Sequence, residues 1–249
     1  MKENRAFLFA HAALLCVVLV GFARTFYLKD WFARNDLDLP LLVHGAILTS
    51  WFALTVLQAA FIETGHRARH RRVAWLAAIV APGVVLSAAW INTRLAGQLH
   101  SARDPENLFV WGNYMTLVAF VVLLAAAIFR RHQPAAHRRL VVLASICIVG
   151  PAFARFAFWP LFGFGVAGGP PFAIGGLLLL VSTLVGYDLV NLRKVHAATL
   201  GGVVALFAIL AVGFGLALSG AGFGLLQRFQ VVSPESAVER THEPGAGPS

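Results

Sequence analysis

The chain has 249 residues, of which 59% are hydrophobic and only 12% are charged, and its mean hydropathy is +0.75. Because soluble domains are typically about half apolar and about one-quarter charged, this composition excludes a soluble globular domain, a disordered chain and a disulfide-stapled secreted domain. The formal net charge of +9 does not indicate a nucleic-acid partner, since membrane proteins collect Lys and Arg at cytoplasmic helix ends. The lipid bilayer is therefore the expected surrounding.

Seven apolar runs are long enough to cross a bilayer, which takes roughly 20 mostly apolar residues. They lack the short alternation of polar and apolar residues that is typical of transmembrane strands. The first run has no cleavage site, so we interpret it as a retained helix rather than a signal peptide. The sequence predicts an all-α, polytopic transmembrane helical bundle over 1–230 and a disordered polar tail over 231–249. The predicted spans are 6–27, 40–63, 73–97, 108–130, 140–162, 171–191 and 199–225.

The distribution of Lys and Arg predicts how the bundle is oriented. Twelve of these residues lie near the N-terminus and in the second, fourth and sixth loops, whereas seven lie on the opposite side. The positive-inside rule therefore places the N-terminus in the cytoplasm, and the odd number of spans places the C-terminus outside.

Two segments of the chain resemble one another. When His70 is aligned with His137, seven of fourteen positions match between 70–83 and 137–150. The segments 40–97 and 108–162 are therefore candidates for a parallel repeat, as some membrane folds use. The alternative is that basic loop ends and small residues recur by chance.

The second predicted span carries a polar stripe. His44 lies about 6 Å inside the span, and Trp51, Thr55 and Gln58 follow at helical spacing on the same face. Such a stripe should face the bundle, where it either lines a cavity or forms hydrogen bonds between helices.

Arg155 lies about 23 Å from the cytoplasmic end of the fifth span. An arginine keeps its charge and therefore needs a partner at that depth, yet no acidic residue is predicted there. Together with Arg24 and Arg94, it makes the outer half electropositive, which suits a carboxylate, a phosphate or a haem propionate. The alternative is that Arg24 and Arg94 reach lipid headgroups while Arg155 caps backbone carbonyls. The predicted ligand-binding residues are His44, Gln58, Asn92, Asn113 and Arg155.

The cytoplasmic rim carries histidines and carboxylates at four helix ends, which are residue types that bind zinc, iron or manganese. The candidate metal ligands are His70, His137, Asp188 and His196, with Glu63 as a base or further ligand. The alternative is an interfacial belt that pairs with headgroups. A bis-histidine haem needs two histidines at the same depth on neighbouring helices. It is disfavoured here, because the two predicted intramembrane histidines, His11 and His44, lie in opposite leaflets.

The seventh span is rich in small residues, and Gly220 and Gly224 form a GxxxG spacing. This pattern predicts close helix packing, either within the chain or in a homo-oligomer.

Five short motifs resemble those of a group of uncharacterised bacterial multi-span inner-membrane proteins. They are LVHG (42–45), GHRARHRR (65–72), AAHRRL (135–140), GPAFAR (150–155) and YDLVNLRKVHAAT (187–199). The His-Arg helix starts are also similar to small membrane families linked to cytochrome oxidase assembly. These resemblances imply a multi-pass protein of the bacterial inner membrane and bring no established activity.

The sequence thus leaves two functional hypotheses. The first is that the protein binds or transports an anionic small molecule in a cavity of the outer half. The second is a membrane redox protein or enzyme that uses a divalent metal or haem at the rim histidines.

Overall fold

The computed structural model describes residues 2–32, 36–229 and 231, and all regular elements in this part of the chain are helical. The predicted tail over 231–249 therefore lies outside the described residues, except for residue 231. The helices are α1 (Lys2–Gly21), α2 (Lys29–Phe32), α3 (Leu39–Glu63), α4 (Arg67–Ala96), α5 (Pro105–Phe129), α6 (Pro134–Cys147), α7 (Gly150–Phe156), α8 (Gly169–Leu192), α9 (Ala197–Leu218) and α10 (Ala221–Arg228). A π-helical turn (Ala23–Tyr27) follows α1, and a 3-10 turn (Val166–Gly168) precedes α8.

Within the described residues, six helices are long and apolar enough to cross a membrane: α1, α3, α4, α5, α8 and α9. The α6–α7 pair passes the same test as a unit bent by 48° and makes a seventh crossing if it is one span. The prediction of a multi-pass helical membrane protein is therefore confirmed, with six or seven spans.

Contacts between helix ends define two faces of the bundle. At the face where α1 begins, Arg5 Nε lies 3.3 Å from Glu63 Oε1 at the end of α3. At the opposite face, Arg24 beyond the end of α1 contacts the chain that follows α7. We call these the N-terminal face and the far face.

The core lies where α3, α5, α6 and α9 meet. Trp51 on α3 and Phe120 on α5 pack edge to face with ring centroids 5.1 Å apart, and Leu143 on α6 and Leu206 on α9 are fully buried beside them. In a bilayer, such close packing stabilises the bundle mainly through dispersion, because lipid tails are as apolar as these side chains. Helix α4 is peripheral, since Trp75 and other large apolar side chains of it are exposed and would face lipid.

The fifth predicted span differs from the observed helices. The expected helix over 140–162 ends at Cys147, and α7 begins at Gly150. Pro151 explains the break, because its nitrogen cannot donate the hydrogen bond that the Cys147 carbonyl would accept in a continuous helix. The last turn of α6 instead closes with a 3-10-type hydrogen bond, in which the Ile148 amide donates to the Ser145 carbonyl three residues earlier at 3.3 Å.

The glycines of the last span serve packing inside the chain. A Cβ at Gly202 would overlap Leu143 of α6, and a Cβ at Gly213 would overlap Met115 of α5. Gly220 has a positive φ of 74° and separates α9 from α10. The Gly220–Gly224 spacing therefore lies across this turn rather than on one spanning helix, and a homo-oligomer through it stays a prediction.

The contact between α1 and α7 has no space for a side chain at Gly21. A Cβ added there would overlap the backbone carbonyl of Ala152, which cannot rotate away. We expect Gly21→Ala to lower the apparent unfolding temperature in detergent by roughly 3–10 °C, because overpacking typically costs about 1–3 kcal/mol. Gly186→Ala is the matched control, since a Cβ there meets open space. Equal thermal stability of both variants would contradict this close packing.

Candidate functional site

Two irregular backbone segments meet at the far face. The chain after α1 forms the π-helical turn Ala23–Tyr27, and α7 follows the break in its span. Gly21, just before the π-helical turn, and Ala152, just after the break, hold the two segments in contact. Single π-turns occur frequently at functional sites, and irregular backbone within membrane proteins is tolerated where protein or a cavity surrounds it.

Two arginines lie at this crossing. The Arg155 guanidinium carbon is 5.5 Å from the centre of the Phe22 ring. Arg24 Nη1 donates a hydrogen bond of 2.6 Å to the carbonyl oxygen of Phe158, and its guanidinium carbon is 5.4 Å from the centre of the Phe32 ring. The arginines are thus held by aromatic faces and by a backbone carbonyl.

Four buried polar atoms on the two chain segments that meet here have no hydrogen-bond partner among the described residues. They are Arg24 Nε, Thr25 Oγ1, Arg155 Nε and Trp159 Nε1. Three are N–H donors and the fourth is a hydroxyl that can donate. Moreover, within the described chain neither arginine forms a salt bridge with an acidic side chain. We call Arg24, Thr25, Arg155 and Trp159 the far-face arginine cluster. Within the described chain, its two positive charges have no acidic partner and its four buried donor atoms have no acceptor.

The other predicted ligand-binding residues lie in separate places. His44 Nδ1 is 3.0 Å from Ser87 Oγ, which joins α3 to α4. On the same helix face as His44, Trp51 Nε1 donates a hydrogen bond to Ser145 Oγ at 3.2 Å. Gln58 Oε1, in contrast, is buried without a partner in the described chain. For His44 and Trp51, the observed contacts are those of hydrogen bonds between helices.

Asn92 and Asn113 are brought together. Asn92 Nδ2 donates to the Val110 carbonyl at 3.0 Å, and Asn113 Nδ2 donates to Asn92 Oδ1 at 3.1 Å. These bonds join α4 to α5. The structure thus unites two of the five predicted ligand-binding residues and places Arg155 apart from them, against the end of α1.

Arg94, the third outer arginine, is paired. Its Nη1 forms a short ion pair with Asp38 Oδ2, just before α3. The hydrogen bond from Arg94 lowers the pKa of the exposed Asp38 carboxyl below its usual value. Arg94 therefore differs from Arg155, and it provides a matched control for experiments on the far-face arginine cluster.

A fully satisfied ion pair lies toward the N-terminal face. Arg139 and Asp188 are both 0% exposed, and Arg139 Nε and Nη2 donate to Asp188 Oδ1 at 2.9 and 2.7 Å. Asp188 Oδ2 accepts from Thr199 Oγ1 at 2.5 Å and from the His196 amide at 3.1 Å. These four bonds occupy the four lone-pair sites of the carboxylate. The observed role of Asp188 is therefore structural.

The same network reaches the start of the chain. Glu3 accepts from Arg139 at 3.1 Å and from Arg138 at 2.5 Å. His196 Nδ1 accepts from the Ala198 amide at 3.0 Å and caps α9, which requires an unprotonated Nδ1. Burial and the positive charge of Arg139 lower the pKa of His196, and this agrees with a neutral ring in that role.

The remaining candidate metal ligands also have partners of their own. His70 Nδ1 lies 3.3 Å from the Gln58 carbonyl, and His137 Nδ1 lies 2.9 Å from the Ala127 carbonyl. Glu63, the predicted base, is paired with Arg5. No group of three or more His, Cys, Asp or Glu within the described ranges is placed to hold a metal ion. The four predicted ligands thus do not assemble into a metal centre in this structure.

Two hollows lie away from the far-face arginine cluster's donor atoms. One of about 320 Å³ is lined by Glu3, Arg139, Tyr187 and Asn191 at the N-terminal face. Its charges already neutralise one another. The other, of about 520 Å³, lies between α7 and α8 and is lined mostly by phenylalanines such as Phe153.

Comparison with known protein families, curated proteins and solved structures gives no match to this chain. These comparisons therefore supply no activity for this chain.

The Arg139–Asp188 pair yields a stability prediction. Asp188→Asn removes the fully buried counter-charge of Arg139 and leaves the more exposed Glu3 as its acidic partner in the described chain. We expect a loss of about 3–5 kcal/mol in the free energy of unfolding. The double variant Arg139→Met/Asp188→Leu should recover most of this loss, because it removes both charges. Asp38→Asn is the control for an exposed pair and should have a much smaller effect, because solvent screens the charges of Asp38 and Arg94. Thermal unfolding in detergent measures all three, and equal effects of the two Asp→Asn changes would contradict the role of burial.

Proposed function

We propose that this protein binds an anionic small molecule at the far-face arginine cluster. The observation that carries the proposal is the set of four buried polar atoms without partners around two arginines without acids. An oxyanion supplies what this crossing lacks, namely acceptor atoms and negative charge. Hydrogen bonds from arginine to carboxylate or phosphate oxygens are also among the stronger ones in proteins.

The cost of leaving these groups unsatisfied supports the same proposal. A buried donor without a partner typically costs about 1–3 kcal/mol, and arginine cannot lose its charge to avoid the cost. Charged residues at membrane depth accordingly mark ligand or ion pathways by default. The bend between α6 and α7 and the π-helical turn Ala23–Tyr27 interrupt regular α-helix near the site. Broken helices of this kind form the substrate sites of many transporters, so transport of the anion is the natural extension of binding.

The orientation and location are part of the proposal. We infer seven crossings, with α6–α7 as one, an N-terminal face in the cytoplasm and a far face outside. The excess of Lys and Arg at the N-terminal face supports this orientation, and the motif resemblance described above supports the bacterial inner membrane.

Reporter fusions test the orientation. We expect alkaline phosphatase, which is active only outside the cytoplasm, to be active when fused after Ser249 and inactive when inserted between Arg131 and Gln133. Green fluorescent protein should give the opposite pattern at the two positions. A fluorescent C-terminal fusion together with active alkaline phosphatase between Arg131 and Gln133 would reverse the proposed orientation. Fluorescence at both positions would keep the orientation and contradict the seven crossings.

Removal of the Arg155 charge tests the binding site. We expect Arg155→Gln to weaken the binding of inorganic phosphate or acetate by roughly 10–100-fold, because a hydrogen bond to a charged group is worth about 1.5–3 kcal/mol. Binding is measured by titration calorimetry on the full chain in dodecyl maltoside at constant ionic strength.

Arg94→Gln is the matched control, since it removes an exposed arginine that is already paired with Asp38. It should leave anion binding within about twofold of the wild type, as expected for a distant exposed charge. If neither anion binds the wild type, or if both variants lose binding equally, the proposed site is wrong.

A further inference from the structure

The far-face arginine cluster differs from a simple carboxylate site in the number of its donors. A carboxylate has two oxygens, and one guanidinium edge can satisfy both. Here the unpartnered donors come from four side chains, those of Arg24, Thr25, Arg155 and Trp159. More donors are present than one carboxylate needs.

The charge of the far-face arginine cluster also distinguishes it from a simple carboxylate site. Arg24 and Arg155 contribute two positive charges, and neither is offset by an acidic side chain within the described chain. Thr25 and Trp159 add neutral donors. Two guanidinium groups with two neutral donors match an anion that carries close to two negative charges on three or four oxygens.

The aromatic contacts leave the edges of the guanidinium groups for a ligand. Arg155 lies over the face of Phe22, and Arg24 lies over the face of Phe32. A ring below a guanidinium contacts its flat face, whereas its N–H donors point outward in the plane. The Nε edge of each arginine therefore has hydrogen-bonding capacity in its own plane.

Resting on the proposed function, we propose that the anion is a tetrahedral phosphoryl group. Arg155 and Arg24 bind two of its oxygens through their guanidinium edges, and Thr25 and Trp159 donate to the remaining oxygens. The four donor atoms are enclosed in this structure, so the guanidinium groups rotate when the anion binds. No covalent bond forms or breaks in this step. The phosphoryl group belongs either to free phosphate or to the headgroup of a lipid, and the experiment distinguishes the two.

Selectivity among anions is the first test. The full chain in dodecyl maltoside is titrated with inorganic phosphate, sulfate, acetate and benzoate at pH 7.5 and constant ionic strength. We expect phosphate and sulfate to bind at least roughly 10-fold more tightly than either carboxylate, because one or more additional charged hydrogen bonds form. If acetate or benzoate binds as tightly as phosphate and Arg155→Gln abolishes that binding, the phosphoryl inference is wrong while the proposed function stands. If no anion binds, the proposed function itself fails.

The second test removes a single donor. Trp159→Phe deletes the indole N–H and keeps an aromatic ring, and because that N–H has no partner in the described chain, no existing hydrogen bond is lost. We expect roughly 10-fold weaker phosphate binding and unchanged acetate binding. Trp90→Phe is the matched control, since Trp90 is 61% exposed on the surface of α4. Equal phosphate affinities for the two variants would overturn the inference.

The third measurement identifies the source of the phosphoryl group. Soluble short-chain phosphatidic acid is compared with inorganic phosphate under the same conditions. Binding of the lipid that is roughly 10-fold tighter and lost in Arg155→Gln assigns a lipid headgroup. Equal or weaker binding of the lipid assigns free phosphate or a small phosphate ester.

Discussion

A buried charge must find a partner, and this constraint organises the bundle around Arg139 and Asp188. The pair is fully buried and connects α6 to α8, while Thr199 and the His196 amide connect Asp188 to α9 and Glu3 connects α1. Four helices thus converge on one satisfied network. Because a buried ion pair costs desolvation energy, its value lies less in net stability than in the penalty that any other arrangement of these helices would incur.

Arg155 lies on α7, sixteen residues after Arg139 on α6, and its surroundings are the opposite. Arg139 uses four hydrogen bonds to protein acceptors, whereas Arg155 has an aromatic face and a buried Nε without a partner in the described chain. The N-terminal face demonstrates that this fold can satisfy an arginine completely. The contrast between Arg139 and Arg155 is the basis on which we propose a partner from outside the chain at the far face.

Composition was sufficient to predict the helices, because a run of about 20 apolar residues has few alternatives in a bilayer. The sequence singled out Arg155 as a charge without an acid at its depth, and within the described chain Arg155 forms no salt bridge. It did not predict that Arg139 and Asp188 pair, since both lie in segments that were interpreted as an interfacial rim, and helix rotation decides which side chains face each other. The Trp159 and Thr25 donors were missed for the same reason. Pro151, in contrast, was visible in the sequence and could have indicated the break in the fifth span.

The position of the two irregular segments links packing to chemistry. Gly21 allows α1 to approach the Ala152 backbone near the start of α7. The chain becomes π-helical soon after Gly21, whereas the break between α6 and α7 lies just before Ala152. Regular helices would satisfy their own backbone groups and direct the side chains at fixed spacing. The π-turn and the α6–α7 break instead change the direction of the chains, so that Arg24 and Arg155 lie at one crossing. The close glycine contact thus holds α1 against α7, and a change at Gly21 would alter the packing beside the proposed anion site as well as the stability of the bundle.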